Sequence, residues 1–360
     1  MQALTVSNDT SAFEVAAVLG RDGRLTQDCV RQALALMDEA GFVILTGLLS
    51  EAEAAQGLDL IGQTIADPDR TRCTFASETD NSYVRRDFCS LPMSPPVTRF
   101  ATTLCQRLEG VFTEYCGRSR PLLEVITLTS YLGSSHQYIH RDPSGVISLL
   151  AAVEDVSDEQ GGTVFVPGTH MYAGAEMKRA GATYAMMELF RRQANIRILR
   201  HNLAKLWRMR GDTATPLAPG EFRDRVFSAK WDQHQPNLLR FLLGKNGEFS
   251  LKMLGPRTLW QLYRQGAALQ RMFTLVQSAP RKGSVIIYRS DMLHAGPDNR
   301  SPHPRRFFGL SIARDMIEPK YWHDGYSPHP TLVERPLTLG DLLDTPAVPE
   351  AAELPNRRAG

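Results

Sequence analysis

At 360 residues, 42% hydrophobic and 22% charged, the chain is long enough for one large domain or two modest ones and has an ordinary soluble, globular composition. A formal net charge of only +2 argues against a general nucleic-acid binder. The absence of any run of about 18 apolar residues, or of a basic leader followed by an apolar run, gives no membrane span or export signal. Five cysteines (Cys29, Cys73, Cys89, Cys105 and Cys116), odd in number and without a C-x-x-C pair, fit reduced thiols in a cytoplasmic protein better than a disulfide framework.

Charge is unevenly spread. Residues 171–275 hold 18 Lys or Arg against 7 Asp or Glu, so one basic region sits in a mildly acidic remainder. In chain order, Thr26 is placed to cap a helix through Ala40, with Val30, Ala33, Leu34 and Met37 on one stripe and Gly41 as its stop. Phe42 to Leu45 reads as a buried strand. Ser50-Glu51-Ala52-Glu53 has the capping-box form, predicting a second helix from Glu51 to about Ala66. Residues 67–96, with Arg70, Arg72, Arg85, Arg86 and Pro92, Pro95 and Pro96, read as an irregular polar connection, and a third helix is predicted from Val97 to about Tyr115.

The pattern then changes to short strands at Leu122 to Leu132, Gly145 to Val153 and Thr163 to Val166, punctuated by Gly161-Gly162 and Pro167-Gly168. Helical character returns over Tyr184 to Leu206 and Arg257 to Val276. Strands resume at Ser284 to Tyr288 and Phe307 to Ala313. The order predicts an α+β domain with a β sandwich or barrel at its centre and a helical insertion carried between core strands. The proline-rich tail from Glu318 has one short helical candidate near Leu339 to Leu343.

The chemistry concentrates in Tyr138-Ile139-His140-Arg141-Asp142-Pro143. In an extended segment His140 and Asp142 share one face while Arg141 points away, so an imidazole and a carboxylate can grip one metal ion from one side. The best third ligand lies downstream in Ser290-Asp291-Met292-Leu293-His294-Ala295-Gly296. Two histidines and one carboxylate on one face of an octahedron leave three positions open for a co-substrate and dioxygen.

His140-Arg141-Asp142, the run Gly161-Gly162-Thr163-Val164-Phe165-Val166-Pro167-Gly168-Thr169-His170, and His294-Ala295-Gly296 followed eleven residues later by Arg305 together resemble the phytanoyl-CoA dioxygenase family of Fe(II)/2-oxoglutarate-dependent oxygenases. The resemblance covers residues 120–170 and 280–314, and more loosely the stretch around Gly41 to Ser50. It implies a double-stranded β-helix (jelly-roll, cupin-like) core with N-terminal helices, and His140, Asp142 and His294 as the iron ligands. Taken with the element order, this gives one oxygenase domain over residues 1–314 with a helical insertion at 171–275, where the family's plainer members carry no such interruption, and a separate tail over 315–360. Arg305 matches the family's anchor for the distal carboxylate of 2-oxoglutarate, where a planar guanidinium gives two parallel charge-assisted hydrogen bonds. Adjacent Arg306 would face the other way on a strand. Gln137 matches a position that touches 2-oxoglutarate in some members, and reads equally as a plain strand amide.

The same resemblance implies Fe(II) as cofactor, and 2-oxoglutarate and dioxygen as co-substrates. Because Asp142 is present where halogenating relatives carry a small residue, hydroxylation, desaturation, epoxidation or cyclisation of a small molecule is expected, in natural-product biosynthesis. Two rivals stand: a cupin-like metalloenzyme that does not use 2-oxoglutarate, and a non-catalytic binding protein on the same fold.

Other conspicuous residues have plainer readings. His170 closes a turn and is structural; His136 is a solvated residue at the entry to the extended segment. His201, His234, His303, His323 and His329 lack ligand-like spacing, and Trp207, Trp231, Trp260 and Trp322 are core or interface anchors. Arg191, Arg192, Arg197, Arg200, Lys205, Arg208 and Arg210 recur on one predicted helix, either as a solvated face or as the surface that meets an anionic or carrier-tethered substrate. No nucleic acid and no membrane is expected as a partner.

Overall fold

The computed structural model describes residues 4–73, 85–173, 181–213, 215–227, 237–244, 249–314 and 326–346. Ten strands carry the architecture: β1 Glu14–Ala16, β2 Phe42–Thr46, β3 Arg86–Ser90, β4 Leu122–Ser130, β5 Val146–Ala152, β6 Val164–Phe165, β7 Val276–Gln277, β8 Val285–Arg289, β9 His294–Ala295 and β10 Arg305–Ala313. Seven form one sheet in the order β1-β2-β8-β5-β10-β4-β3, antiparallel except at β1-β2. The other three form a small sheet, β7-β6-β9. The protein is α+β.

Period-two alternation sorts the large sheet's residues onto two faces. On β10, Phe308, Leu310 and Ile312 enter the main core with Leu149 and Ala151 of β5 and Ile287 of β8. That core is closed by four helices, α1 Gln27–Glu39, α2 Glu51–Ala66, α3 Pro95–Arg107 and α4 Glu109–Tyr115. The opposite parity, Arg305, Phe307, Gly309 and Ser311, faces an internal cavity. Ser50 caps α2 with both halves of its capping box formed.

Three local expectations are corrected. Residues 86–90, inside the stretch read as an irregular connection, form edge strand β3 in register with β4 (Arg86 opposite Ser130, Phe88 opposite Leu128). Tertiary pairing overrides a sequence that alternates polar and apolar only weakly. The helix expected over Val97 to Tyr115 is two helices, broken where Leu108 leaves helical backbone geometry. The helix expected to reach Val276 stops at Met272, because Val276 and Gln277 pair with Phe165 and Val164 instead.

Between β6 and its hairpin partner β7 the chain makes one long helical excursion, with α5 Ala182–Met209, α6 Glu221–Phe227, α7 Leu238–Leu243 and α8 Pro256–Met272. Phe190, Ile198, Leu199 and Leu269 from this excursion share a second core with Tyr138, Ile139, Leu293 and Ala295. Near the C-terminus, α9 Pro330–Glu334 and α10 Leu339–Asp344 return Leu332, Leu339, Leu342 and Leu343 to the main core, α10 held by a capping box of Thr338 and Asp341. Among the described residues no helix is long and apolar enough to cross a membrane. All five cysteines are buried and none is in a disulfide.

Candidate metal centre and its cavity

The stretch from Gln137 to Asp142 belongs to no named strand, yet it runs extended beside the stretch that carries His294. His140 and His294 exchange both backbone hydrogen bonds at 3.0 Å, and the N–H groups of Gln137 and Asp142 donate to Gly296 and Ser290 carbonyls, each at 3.0 Å. Antiparallel pairing at His140/His294 thus brings two distant histidines onto one spot. The His140 Nε2 lies 3.7 Å from Asp142 Oδ1, and His294 Nε2 lies 3.3 Å from Asp142 Oδ2. One ligand atom from each of the three residues falls within 4.8 Å of the others.

Each imidazole is oriented from behind. His140 Nδ1 is 2.7 Å from the Tyr138 carbonyl, and His294 Nδ1 is 3.0 Å from the Met292 carbonyl. A ring nitrogen bonded to a carbonyl carries the proton, so the Nε2 lone pairs face the carboxylate, as metal-ligating histidines are held. The donor set fits a divalent first-row metal, two imidazoles and one carboxylate in a facial arrangement. Burial opposes protonation of His294, but the Asp142 charge and hydrogen bond outweigh it and raise its pKa above the ordinary value. The spot therefore favours positive charge.

Beside this triad lies a cavity of about 760 Å³. Arg86, Arg305 and Gln137 contribute to its lining, as do Phe88, Ile126, Leu128, Leu150 and Phe307, and Glu124, Ser148, Ser311, Tyr288 and Tyr326 form a polar group at another part of it. The last group follows from register: Glu124, Ser311, Ser148 and Tyr288 are successive partners across β4, β10, β5 and β8.

Arg305 is buried. Its Nη1 donates to the Gln160 carbonyl at 2.9 Å, to that of Gly161, and to that of Pro297 at 3.3 Å, while Nη2 donates to Ser130 Oγ at 3.1 Å. It pairs with no carboxylate among the described residues, and burial together with the charge of Arg86 pushes its pKa well below the usual arginine value. Arg306 turns to the other face and pairs with Glu154 at 3.0 Å. Gln137 accepts from the Gly296 N–H at 2.8 Å and also lines the cavity. A Cβ on Gly296 would lie 2.7 Å from both Arg86 Nη1 and Gln137 Oε1, so only glycine lets these groups meet there.

Arg86 is the residue the sequence reading missed. From edge strand β3 it donates through Nη2 to the carbonyls of Ser135, Gly296 and Pro297, the last shared with Arg305. The signal was present, since Arg86, Phe88 and Ser90 alternate as an inward face. It was hidden in a run read as a loop.

Glu124 is a buried carboxylate whose Oε1 accepts from Ser311 Oγ at 3.0 Å and whose Oε2 accepts from the Ser327 N–H at 2.8 Å. Burial, and secondarily Asp142, push its pKa up to about 7 from 4.5. The folded chain then keeps a proton that the unfolded chain releases above pH 4.5, so stability is lost as pH rises from about 4.5 to about 7, by up to about 3 kcal/mol. Glu124→Gln is uncharged and nearly isosteric. Urea unfolding of the metal-free protein at pH 5 and pH 8 should show a clear fall in stability for the wild type and a much smaller one for the variant. Equal falls would mean that Glu124 does not titrate in this window.

His170 Nε2 meets the Asp38 carbonyl at 3.0 Å and packs beneath Gly41, a structural role. His136, expected to be solvated, is buried, and burial drops its pKa to about 4. The basic residues of α5 do not form one solvated face: Arg191 pairs with Glu188 and Lys205 with Asp298, while Arg200, Arg208 and Arg210 are exposed. Trp207 and Trp260 are exposed rather than core anchors. His234, His323, Trp231 and Trp322 lie outside the described residues.

No protein-family model matches the chain, and no curated protein does. Among solved structures it is similar to the non-haem α-ketoglutarate-dependent epimerase SnoN from nogalamycin biosynthesis (15% identity, 80% of this chain and 84% of that chain covered, TM-score 0.46). It is also similar to the carbocyclase SnoK from nogalamycin biosynthesis (14%, 82% and 87%, 0.46). A third is HygX from Streptomyces hygroscopicus with nickel and 2-oxoglutarate bound (16%, 82% and 89%, 0.43).

Proposed function

We propose that the chain is an Fe(II)- and 2-oxoglutarate-dependent oxygenase of the phytanoyl-CoA dioxygenase type, oxidising a C–H bond of a small molecule in natural-product biosynthesis. One observation carries the reading: His140, Asp142 and His294 present two imidazole nitrogens and a carboxylate within 4.8 Å, and all three line the cavity that Arg305 also lines. The seven- and three-stranded sheets are read as the major and minor sheets of a double-stranded β-helix, within one oxygenase domain over residues 1–314 followed by the tail 315–360. Residues 171–275 are its helical insertion. Buried thiols without disulfides suit the cytoplasm.

Fe(II), when held by the triad with 2-oxoglutarate and dioxygen, supplies oxidising chemistry that protein side chains lack. The chain's own work is to bind and orient. Asp142 balances cationic charge beside the two imidazoles. Arg305, with Gln137 alongside, takes the distal carboxylate of 2-oxoglutarate, where a buried guanidinium offers directional donors at low local dielectric. The apolar residues Ile126, Leu128, Leu150 and Phe307 keep water from the cavity wall. The polar group of Glu124, Ser148, Ser311 and Tyr288 holds the donors and acceptors that would orient a substrate.

The test is an anaerobic titration of the purified protein with Fe(II) and then 2-oxoglutarate, watching for the weak visible charge-transfer band of a chelated 2-oxoacid. A saturable band supports the reading. Bound iron without any band on adding 2-oxoglutarate would overturn it in favour of a cupin-like metalloenzyme that does not use the co-substrate.

A further inference from the structure

The extended stretch that carries His140 and Asp142 has its partners on one edge, the stretch around His294, but among the described residues neither sheet supplies a strand for its other edge. Buried backbone groups must be satisfied somewhere. They are met by side chains of the insertion. Asn195 Oδ1 accepts from the Ile139 N–H at 2.7 Å while its Nδ2 donates to the Ile139 carbonyl at 3.2 Å. Asn202 does the same at His136, accepting from the N–H at 3.0 Å and donating to the carbonyl at 2.9 Å. Each amide thus reproduces the donor and acceptor that a neighbouring strand would present.

Seven positions apart, the two asparagines sit on one face of α5, two helical turns from each other. Both are fully buried, at 0% and 1% exposure, in the interior of a helix where asparagine is a poor former and an unmet amide is costly. Nothing in the helix itself accounts for them. The clasp continues in order: Lys205 Nζ donates to the Ser134 carbonyl at 2.8 Å, and Arg225 of α6 donates to that of Gly133 at 3.0 Å. Lys205 also reaches Asp298, four residues past His294, at 2.9 Å. Helix α5 therefore grips both ligand-bearing stretches.

We propose that α5 serves as the missing sheet edge of the metal centre, with Asn195 and Asn202 as positioning residues that hold the His140 and Asp142 stretch in the extended form that meets His294. The insertion is then part of the site's scaffold rather than a detachable lid. This inference rests on the metal reading above and deepens it.

The experiment is a Co(II) titration of the full-length protein, followed by visible absorption, for wild type, Asn195→Ala, Asn202→Ala, His294→Ala and Val97→Ala. Val97 lies in the main core, in an element that holds no part of the site, and serves as a control for simple loss of stability. Both asparagine variants are expected to bind Co(II) about 10- to 100-fold more weakly, the effect of removing a group that orients metal ligands, with Val97→Ala unchanged. Folded asparagine variants with affinity within about twofold of wild type overturn the proposal. Should both fail to fold, hydrogen exchange on the wild type decides: Co(II) is expected to slow exchange in α5 around residues 195–202, although α5 supplies no ligand, and an unchanged α5 overturns it. If wild type shows no saturable binding, or His294→Ala binds as well as wild type, the metal reading itself fails and the inference falls with it.

Discussion

Asp142→Ala is expected to cost the protein its metal and, with it, all measurable 2-oxoglutarate consumption. The carboxylate stands 3.7 Å from one imidazole nitrogen and 3.3 Å from the other, so its removal leaves two neutral nitrogens on one side of an open site. Removing a group that merely orients a ligand costs about 10- to 100-fold in metal affinity, and losing a ligand together with its negative charge should exceed that. Equilibrium dialysis against Fe(II) or Mn(II) measures it. The metal-free variant should stay folded, because Asp142 is a quarter exposed and its loss relieves Glu124 of a like charge. A folded Asp142→Ala protein that binds metal as wild type does would remove Asp142 from the ligand set and leave the facial-triad reading without its carboxylate.

The closeness of His140 and Asp142 was legible because its information is local, whereas His294 is far along the chain and entered through the resemblance. His-x-Asp in an extended stretch needs only the alternation of strand side chains, and the capping box at Ser50 needs only four residues. What the sequence hid depends on partners far away in the chain. Strand β3 pairs with β4 across more than thirty residues, and its Arg-Asp-Phe-Cys-Ser pattern looks like a polar connection until β4 is beside it. Strands β6, β7 and β9 are two residues each, too short for any periodicity to register. His136 seemed to be a surface residue because nothing in its neighbourhood foretells Asn202, 66 positions away, closing over its backbone. Asn195 and Asn202 belong to no motif in the sequence, although their spacing of seven, within a stripe that also holds buried Ile198 and Leu199, is a usable sign that the face turns inward.

The helical excursion also changes how its charge should be read. Counted along the chain, residues 171–275 look like a cationic surface awaiting an anion. In the fold much of that charge is spent internally: Arg225 is buried against Glu221, Lys205 against Asp298, and Arg85 from outside the insertion pairs with Glu221 as well. Burial would raise the pKa of Asp298, yet the His201 hydrogen bond and the charge of Lys205 hold it well below the usual carboxylate range. The Lys205 and His201 contacts fix the insertion to the loop that follows His294, the Arg85 pair fixes it beside β3, and only part of the basic stripe is left to meet a substrate or partner.

Arg305→Met is expected to raise the apparent KM for 2-oxoglutarate far more than Arg306→Met. Truncating one partner of a buried, hydrogen-bonded charge pair costs about 2–5 kcal/mol, roughly 30- to 5,000-fold in affinity. Arg306, in a partly exposed pair with Glu154, should cost about 1 kcal/mol of stability or less and leave KM alone. Two effects of the Arg305 change must be separated, since the side chain also satisfies the carbonyls of Gln160, Gly161 and Pro297. Arg305→Lys separates them: one ammonium keeps the charge but lacks the planar fork, so it should recover part of the affinity while the melting temperature stays low. Steady-state consumption of 2-oxoglutarate and thermal unfolding, measured on the same preparations, give both numbers. Arg86→Met completes the set, because Arg86 and Arg305 both donate to the Pro297 carbonyl and both line the cavity. A KM rise comparable to that of Arg305→Met would make the pair a joint anchor for the co-substrate, whereas unchanged KM for both arginine variants would sink the assignment of 2-oxoglutarate to this end of the cavity.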